Sequence, residues 1–361
     1  MTTNVPKVYA FHDFSDVAIA VADYVVYAQN HALTVKNKND RKHSNTSLNS
    51  INSAVAAEPS QNTIPSTATH PVHLKKNKSH TLLNHGVHDQ TGNAAAPMKN
   101  YSNINIEREK EKDNSRDNKE SPLNVVKEKR FRIALSGGSL IQVLHEGLLK
   151  RDDVQWGKWD IYFADERLVP FDSENSNYGL AKRKIFDLID TKKYGKPKVY
   201  HVNEKLIKDP QECADNYEKI LIKGFAGRDS VKLPMFDLFL LGCAPDGHIA
   251  SLFPNFQETL REKLAWVVPV EGAPSGPSNR ISLTIPVICH SHRVAFVVEG
   301  STKAPVLKTI MERPEKGLPS SIVNEGAAGR VSWFVDNDAL SDVFVTKKAY
   351  KFRSAQKVTV G

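Results

Sequence analysis

Cysteine is scarce in this 361-residue chain, and Cys213, Cys243 and Cys289 are widely spaced and odd in number. Such a set makes neither a disulfide framework nor a zinc-ligand pattern, which points to a reducing compartment. Long apolar runs are also missing, and none approaches the roughly 18 residues of a membrane span. Met1–Pro6 has neither the basic nor the apolar region of a signal peptide. An intracellular soluble protein is expected, cytoplasmic, with nuclear access left open.

Aromatics are absent over one long stretch. No Phe, Tyr or Trp occurs between Tyr27 and Tyr101, and Asn, Ser, Thr, Lys and His dominate from about Thr34 to Lys127. That composition cannot bury enough apolar surface to offset the entropy of ordering, so a disordered polar insertion is predicted over 34–127. Lys75, Lys76 and Lys78, with six histidines across the insertion, could attract RNA or acidic partners. The histidine spacing fits no recognised metal site.

The chain as a whole is 40% apolar with a net charge of +8, which suits a globular protein with a sizeable core. Val8–Phe11 reads as a strand, followed by a helix through Val17, Val21, Tyr24, Val25 and Ala28 that Asp13 or Ser15 can cap. After the insertion, strands are expected at Phe131–Leu135, Trp159–Ala164, Val199–Val202, Leu238–Leu241, Val267–Val270, Ile281–Ile285, Val294–Val298 and Arg330–Val335. Helices are expected between them, through Leu140–Leu148, Leu180–Ile189, Gln211–Phe225 and Ser301–Ile310. This alternation predicts an α/β fold with a mostly parallel central sheet. The folded domain would comprise 1–33 and 128–361, interrupted by the insertion.

Three strand ends carry chemistry. Ser136-Gly137-Gly138-Ser139 lies between a strand and a helix, where backbone N–H groups can converge on an anion. It is neither a Walker A loop nor GxGxxG, and a plain strand-to-helix turn is the competing reading. Asp165-Glu166-Arg167 ends another strand; Arg can fork onto a phosphate or carboxylate, and the acids can orient it or a hydroxyl. Gly242-Cys243-Ala244-Pro245-Asp246-Gly247-His248 follows a buried strand, and its single His, where a helix could begin, suits proton transfer near neutral pH. In open α/β sheets ligands bind beyond the carboxyl ends of the strands.

These blocks resemble the 6-phosphogluconolactonases. The resemblance rests on Ser136–Ser139, Asp165–Arg167 with Val169-Pro170-Phe171, Ser176-Asn177-Tyr178-Gly179, Pro245–His248 with Ser251-Leu252-Phe253-Pro254, Arg280–Thr284 and Trp333–Asp336. They occur in the family's order from Phe131 to Asp336, and the chain looks most like the fungal Sol branch, which is also linked to nuclear export of tRNA. The resemblance implies a Rossmann-like three-layer domain shared with glucosamine-6-phosphate deaminases. It implies hydrolysis of 6-phospho-D-glucono-1,5-lactone in the oxidative pentose phosphate pathway, with no metal or organic cofactor. On that reading Ser136, Gly137, Gly138, Ser139, Arg167, Arg280 and Lys303 hold the phosphate. His248 moves the proton, Asp165 or Asp246 orients His248 or a sugar hydroxyl, and N–H groups of the Gly242–Gly247 turn meet the oxyanion.

The chain departs from the family at Ala244, where a Gly is usual, and at Ile249, where a hydroxyl is usual. If position 244 needs positive φ, Ala strains the turn by about 1 kcal/mol. Ile249 removes a hydroxyl that could cap a following helix or meet substrate. Cys289 replaces a frequent Asn, and the Pro274–Ser278 loop lacks a Lys that some members carry. Two further readings follow: a lactonase-like protein that works through binding, with tRNA or a transport protein at the insertion, and a sugar-phosphate deaminase or isomerase.

Overall fold

A computed structural model describes residues 6–34, 128–225, 233–352 of the chain. The expected insertion at 34–127 lies outside these residues, apart from Thr34. Seven parallel strands form the central sheet: β1 (Lys7–Phe11), β2 (Phe131–Leu135), β3 (Trp159–Phe163), β5 (Lys198–Tyr200), β6 (Leu238–Leu241), β9 (Val294–Val298) and β10 (Val331–Asp336). Their order across the sheet is β1-β10-β9-β6-β2-β3-β5, and every neighbouring pair is parallel. The expected α/β class with a mostly parallel sheet is what the chain adopts.

Two-residue periodicity divides the strand side chains between two cores. Phe131, Ile133 and Leu135 of β2, with Leu238 and Leu240 of β6, face one core with α1 (Phe14–Thr34), α2 (Ser139–Leu148) and α3 (Asn177–Lys184). Ala134, Phe239 and Leu241, with Trp333 and Val335 of β10, face the other. That second layer contains α5 (Pro210–Phe225), α7 (Ile285–His290), α8 (Ala304–Glu312) and α9 (Pro319–Gly326). Full burial of each Leu, Val or Phe contributes about 1.5–3 kcal/mol before entropy is subtracted. Trp333 stacks on Phe296 at 4.0 Å and donates its indole N–H to Asn324.

The α1 helix starts at Asp13, whose carboxylate accepts the Asp16 N–H at 3.1 Å. Asp23, the acid on its apolar face, is buried against Arg151 at 2.7 Å, so the charge docks α1 onto the segment after α2.

Some expected elements differ. The Val267–Val270 and Arg280 segments leave the parallel sheet and, with Asp165–Arg167, form a small antiparallel sheet β4 (Asp165–Arg167), β8 (Arg280–Leu283), β7 (Val267–Val270), in the order β4-β8-β7. β8 ends at Leu283, and Ile285 begins α7 instead of extending the strand. No helix follows His248 directly; the next, α6 (Gln257–Arg261), starts nine residues later. The helix expected through Leu180–Ile189 stops at Lys184 and tightens into a 3₁₀ turn over Phe186–Leu188.

Ala32 and Glu128 line one cavity at the amino ends of the strands, so the chain leaves and re-enters the domain at neighbouring places. We therefore propose 128–361 and 1–33 as one folding unit. Replacing 35–127 by a short Gly/Ser linker should leave one cooperative thermal transition within a few degrees of the full chain. Loss of that transition would show that the domain needs the insertion to fold.

Candidate active site

The chain adds strands β3 and β5 on one side of β2, then crosses to the other side to place β6, β9 and β10. The point of reversal lies between β2 and β6, and open α/β sheets bind ligands beyond the strand ends at such a point. Ser136 N–H donates to Leu240 C=O at 3.0 Å, pinning the Gly-Gly loop beside the turn after β6.

Gly137 is required by close approach: a Cβ there would lie 1.8 Å from Asn177 Oδ1. Gly138 adopts φ +68°, and the space where its Cβ would stand is open. No side chain caps α2, so its positive end carries N–H groups without a side-chain acceptor.

The turn after β6 closes on itself. Gly247 takes φ +85°, its N–H donates to Ala244 C=O, and Ala244 N–H donates to His248 C=O. Ala244 keeps negative φ, so the expected strain is absent at that position. The turn's N–H groups at Ala244 and Gly247 are used internally and His248 N–H goes to Asp246, so these three do not serve an oxyanion. Ile249 is buried in the core; it neither caps a helix nor faces a ligand. Strain sits instead at Ala250, with φ +49°, the one non-glycine residue at positive φ among the described residues.

His248 places Nδ1 at 2.7 Å from Asp246 Oδ1. An ionised carboxylate only accepts, so Nδ1 carries the proton and Nε2 keeps its lone pair. Burial lowers the His248 pKa, while the adjacent Asp246 carboxylate pulls it back up. The imidazole lies 4.5 Å from the Phe253 ring, whose neighbourhood also holds the Arg280 guanidinium at 5.3 Å.

The Asp165-Glu166-Arg167 block divides its roles. Glu166 is structural: buried, it accepts N–H bonds from Arg167, Asn177 and Tyr178 at 2.7–2.9 Å and so anchors the start of α3. Burial pushes its pKa up to about 7 against those three bonds. Asp165 accepts the Ser251 hydroxyl at 2.7 Å, and its Oδ1 has no partner. Asp165 accepts no hydrogen bond from His248 and acts on it only through its charge, whereas Asp246 accepts the Nδ1–H bond that orients the imidazole. Arg167 Nε lies 3.9 Å from Asp165 Oδ2 and is likewise without a hydrogen bond.

Arg167 and Arg280 stand directly opposite each other in the β4–β8 register. Like charges in that position are destabilising by some tenths of a kcal/mol. Burial and Arg167 both lower the Arg280 pKa, and Asp165 opposes them. Arg280 is held by the carbonyls of Ser275 and Pro277, so the loop without the family's Lys positions this guanidinium. On the other flank, Lys303 interacts electrostatically with Glu299 and Cys243, and Glu299 hydrogen-bonds Ser139. Cys289 packs against Gly326 of α9 and is not part of the cleft.

Sequence reasoning missed Asn177, Ser251, Phe253 and Glu299 as site neighbours. Asn177 and Ser251 sat inside recognised blocks, which was the available signal; Glu299 carried none, because only the β9 position brings it to Ser139. Among the described residues no group of three or more His, Cys, Asp or Glu is arranged to hold a metal ion, and no helix is long and apolar enough to cross a membrane. Replacing Gly137 by Ala should displace Asn177 and destabilise the domain by about 1–3 kcal/mol in chemical denaturation. An unchanged midpoint would contradict the close packing of this loop.

Residues 118–333 match the family model described as glucosamine-6-phosphate isomerases/6-phosphogluconolactonase. The chain is 67% identical over 363 residues to the Saccharomyces cerevisiae "6-phosphogluconolactonase-like protein 1", covering 99% of this chain and 100% of that one. It is 46% identical over 217 residues to a "probable 6-phosphogluconolactonase" of Schizosaccharomyces pombe, covering 59% and 83% of the two chains. Among solved structures, 6-phosphogluconolactonase from Leishmania guyanensis superposes with a TM-score of 0.51 at 26% identity, over 62% of this chain and 89% of that one. With the Gly-Gly loop and the His248 turn meeting at the β2–β6 crevice, this chain belongs to the glucosamine-6-phosphate isomerase/6-phosphogluconolactonase family.

Proposed function

We propose that the protein hydrolyses 6-phospho-D-glucono-1,5-lactone to 6-phosphogluconate, a step of the oxidative pentose phosphate pathway. The observation that carries this reading is the Asp246–His248 pair. It leaves Nε2 as a base in a crevice flanked by an open helix start and two arginines.

The phosphate group is held at Ser136–Ser139, at the uncapped start of α2, with Lys303 interacting with Glu299, the hydrogen-bond partner of Ser139. Arg167 and Arg280 supply positive charge on the other flank, and an anion between them relieves their mutual repulsion. His248 Nε2 takes a proton from the water that attacks C1. As the tetrahedral intermediate collapses, the C1–O5 bond breaks and the same nitrogen returns the proton to O5. Asp246 holds the imidazole in the right tautomer and stabilises the imidazolium between the two transfers. Ser251 and Asp165 form a fixed polar wall beside this exchange. Ala244, at negative φ, offers no conformational obstacle to turnover, which favours an active enzyme over a binding-only protein. The tRNA or transport-partner reading rests on the insertion, outside the described residues.

Lactone generated in situ, with spontaneous hydrolysis subtracted, measures this activity directly. His248→Ala should lower kcat by about 10²–10⁴-fold with folding intact, and unchanged turnover would remove His248 from the mechanism. The rate should fall as pH drops through the His248 pKa, which burial sets below the ordinary 6.5. Asp246→Asn removes the larger of the two carboxylate influences that raise that pKa, Asp165 being the other, so the acid limb should move to lower pH as kcat decreases. A shift to higher pH would contradict the assignment of Asp246.

A further inference from the structure

The opposite pole of the sheet carries a second candidate site. A cavity of about 570 Å³ lies where β2, β5 and β6 begin and where α1 and α5 end. Arg132, Lys198, Lys223 and Arg293 line it, and none of these four makes a salt bridge among the described residues. The acids of the cavity have partners too, and Asp237 also feels the charges of His292, Arg132 and Arg293. Asp160 and Glu128 pair with Arg130, at 2.6 and 3.8 Å, and Asp237 accepts the Arg132 backbone N–H at 2.8 Å. Helix carboxyl ends attract cations, which accounts for Lys223 at the end of α5. Arg132 donates its guanidinium to the Gly224 carbonyl in the last turn of α5 at 3.2 Å and lies over the Phe225 ring at 4.7 Å, whereas Lys198 and Arg293 sit at or beside strand starts.

An adjoining cavity of about 310 Å³ shares His31, His292 and Arg293 with the first, and its wall includes Tyr24 and Tyr27. Tyr27 is 43% exposed, and the Arg293 guanidinium lies 5.5 Å from its ring. Both chambers carry cations, the second through Lys7 and Arg330, and the second adds an aromatic wall, with Arg293 at the junction. Ligands that carry several phosphates on a ring system present the complementary sequence of groups. Both volumes fall in or near the roughly 300–1,000 Å³ of small-molecule sites.

We propose that this pole binds a nucleoside polyphosphate, its phosphates against Arg132, Lys198, Lys223 and Arg293 and its base beside Tyr27. The site is independent of the catalytic cleft, which opens at the other end of the strands.

ATP titrated calorimetrically into the full-length protein tests the proposal. Binding is expected, weakening as salt is raised. Lys198→Glu and Arg293→Glu should each weaken it at least tenfold without altering lactone turnover, and inorganic triphosphate should bind more weakly than ATP. His248→Ala should leave ATP binding unchanged, and 6-phosphogluconate should not displace ATP. The proposal is overturned by no ATP binding to folded protein, by binding insensitive to both charge reversals, or by displacement with 6-phosphogluconate. Inorganic triphosphate binding as tightly as ATP would overturn the nucleoside assignment, and so would retention of an RNA oligonucleotide without ATP binding.

Discussion

Everything functional in this domain depends on β2 and β6 lying side by side while the chain reverses its direction of travel across the sheet. A parallel pair at that position sends its two following segments apart and leaves a crevice between them. The hydrogen bond from Ser136 to Leu240 fixes the relative height of the Gly-Gly loop and the His248 turn. Because both strands are buried on two faces, the apolar side chains that hold them together also hold the crevice open. Leu135, Leu240 and Leu241 are fully packed immediately before the chain turns polar.

The crevice then collects groups that would be poor choices on stability grounds alone. Two arginines face each other across β4 and β8, a buried Asp165 oxygen has no partner, and Ala250 holds positive φ beside the His248 turn. Each costs about a kcal/mol or less to a few. Rigid neighbours maintain them: Glu166 anchors α3 through three backbone bonds, and Ser251 clasps Asp165. Such costs are concentrated at one strand end, as is expected where local rules give way to function.

Much of this was legible in the sequence. Buried parallel strands read as continuous apolar runs, so β2, β3, β6, β9 and β10 stood out. The Gly-Gly loop and the Asp246–His248 turn were visible because their neighbours are sharply different in character. Other features depend on distant partners. The departure of Val267–Val270 into an antiparallel sheet follows from its pairing with Arg280–Leu283. Asp165 and Glu166 are adjacent acids, yet one meets Ser251 and the other the start of α3, a division no local pattern contains. A glycine is usual at 244, and Ala244 would strain the turn only if that position required positive φ. The turn instead places its positive φ at Gly247 and Ala250, so the family's glycine at 244 is not a conformational requirement in this chain.

The central claim is that the loop at α2 and the imidazole of His248 grip the two ends of one sugar phosphate. A crystal structure of the full chain with 6-phosphogluconate, the proposed product, tests this most directly. Phosphate oxygens are expected within hydrogen-bond distance of the Gly138–Ser139 backbone, with the C1 carboxylate beside His248 Nε2. Phosphate bound away from that loop, or C1 remote from His248 in an otherwise ordered complex, would contradict it.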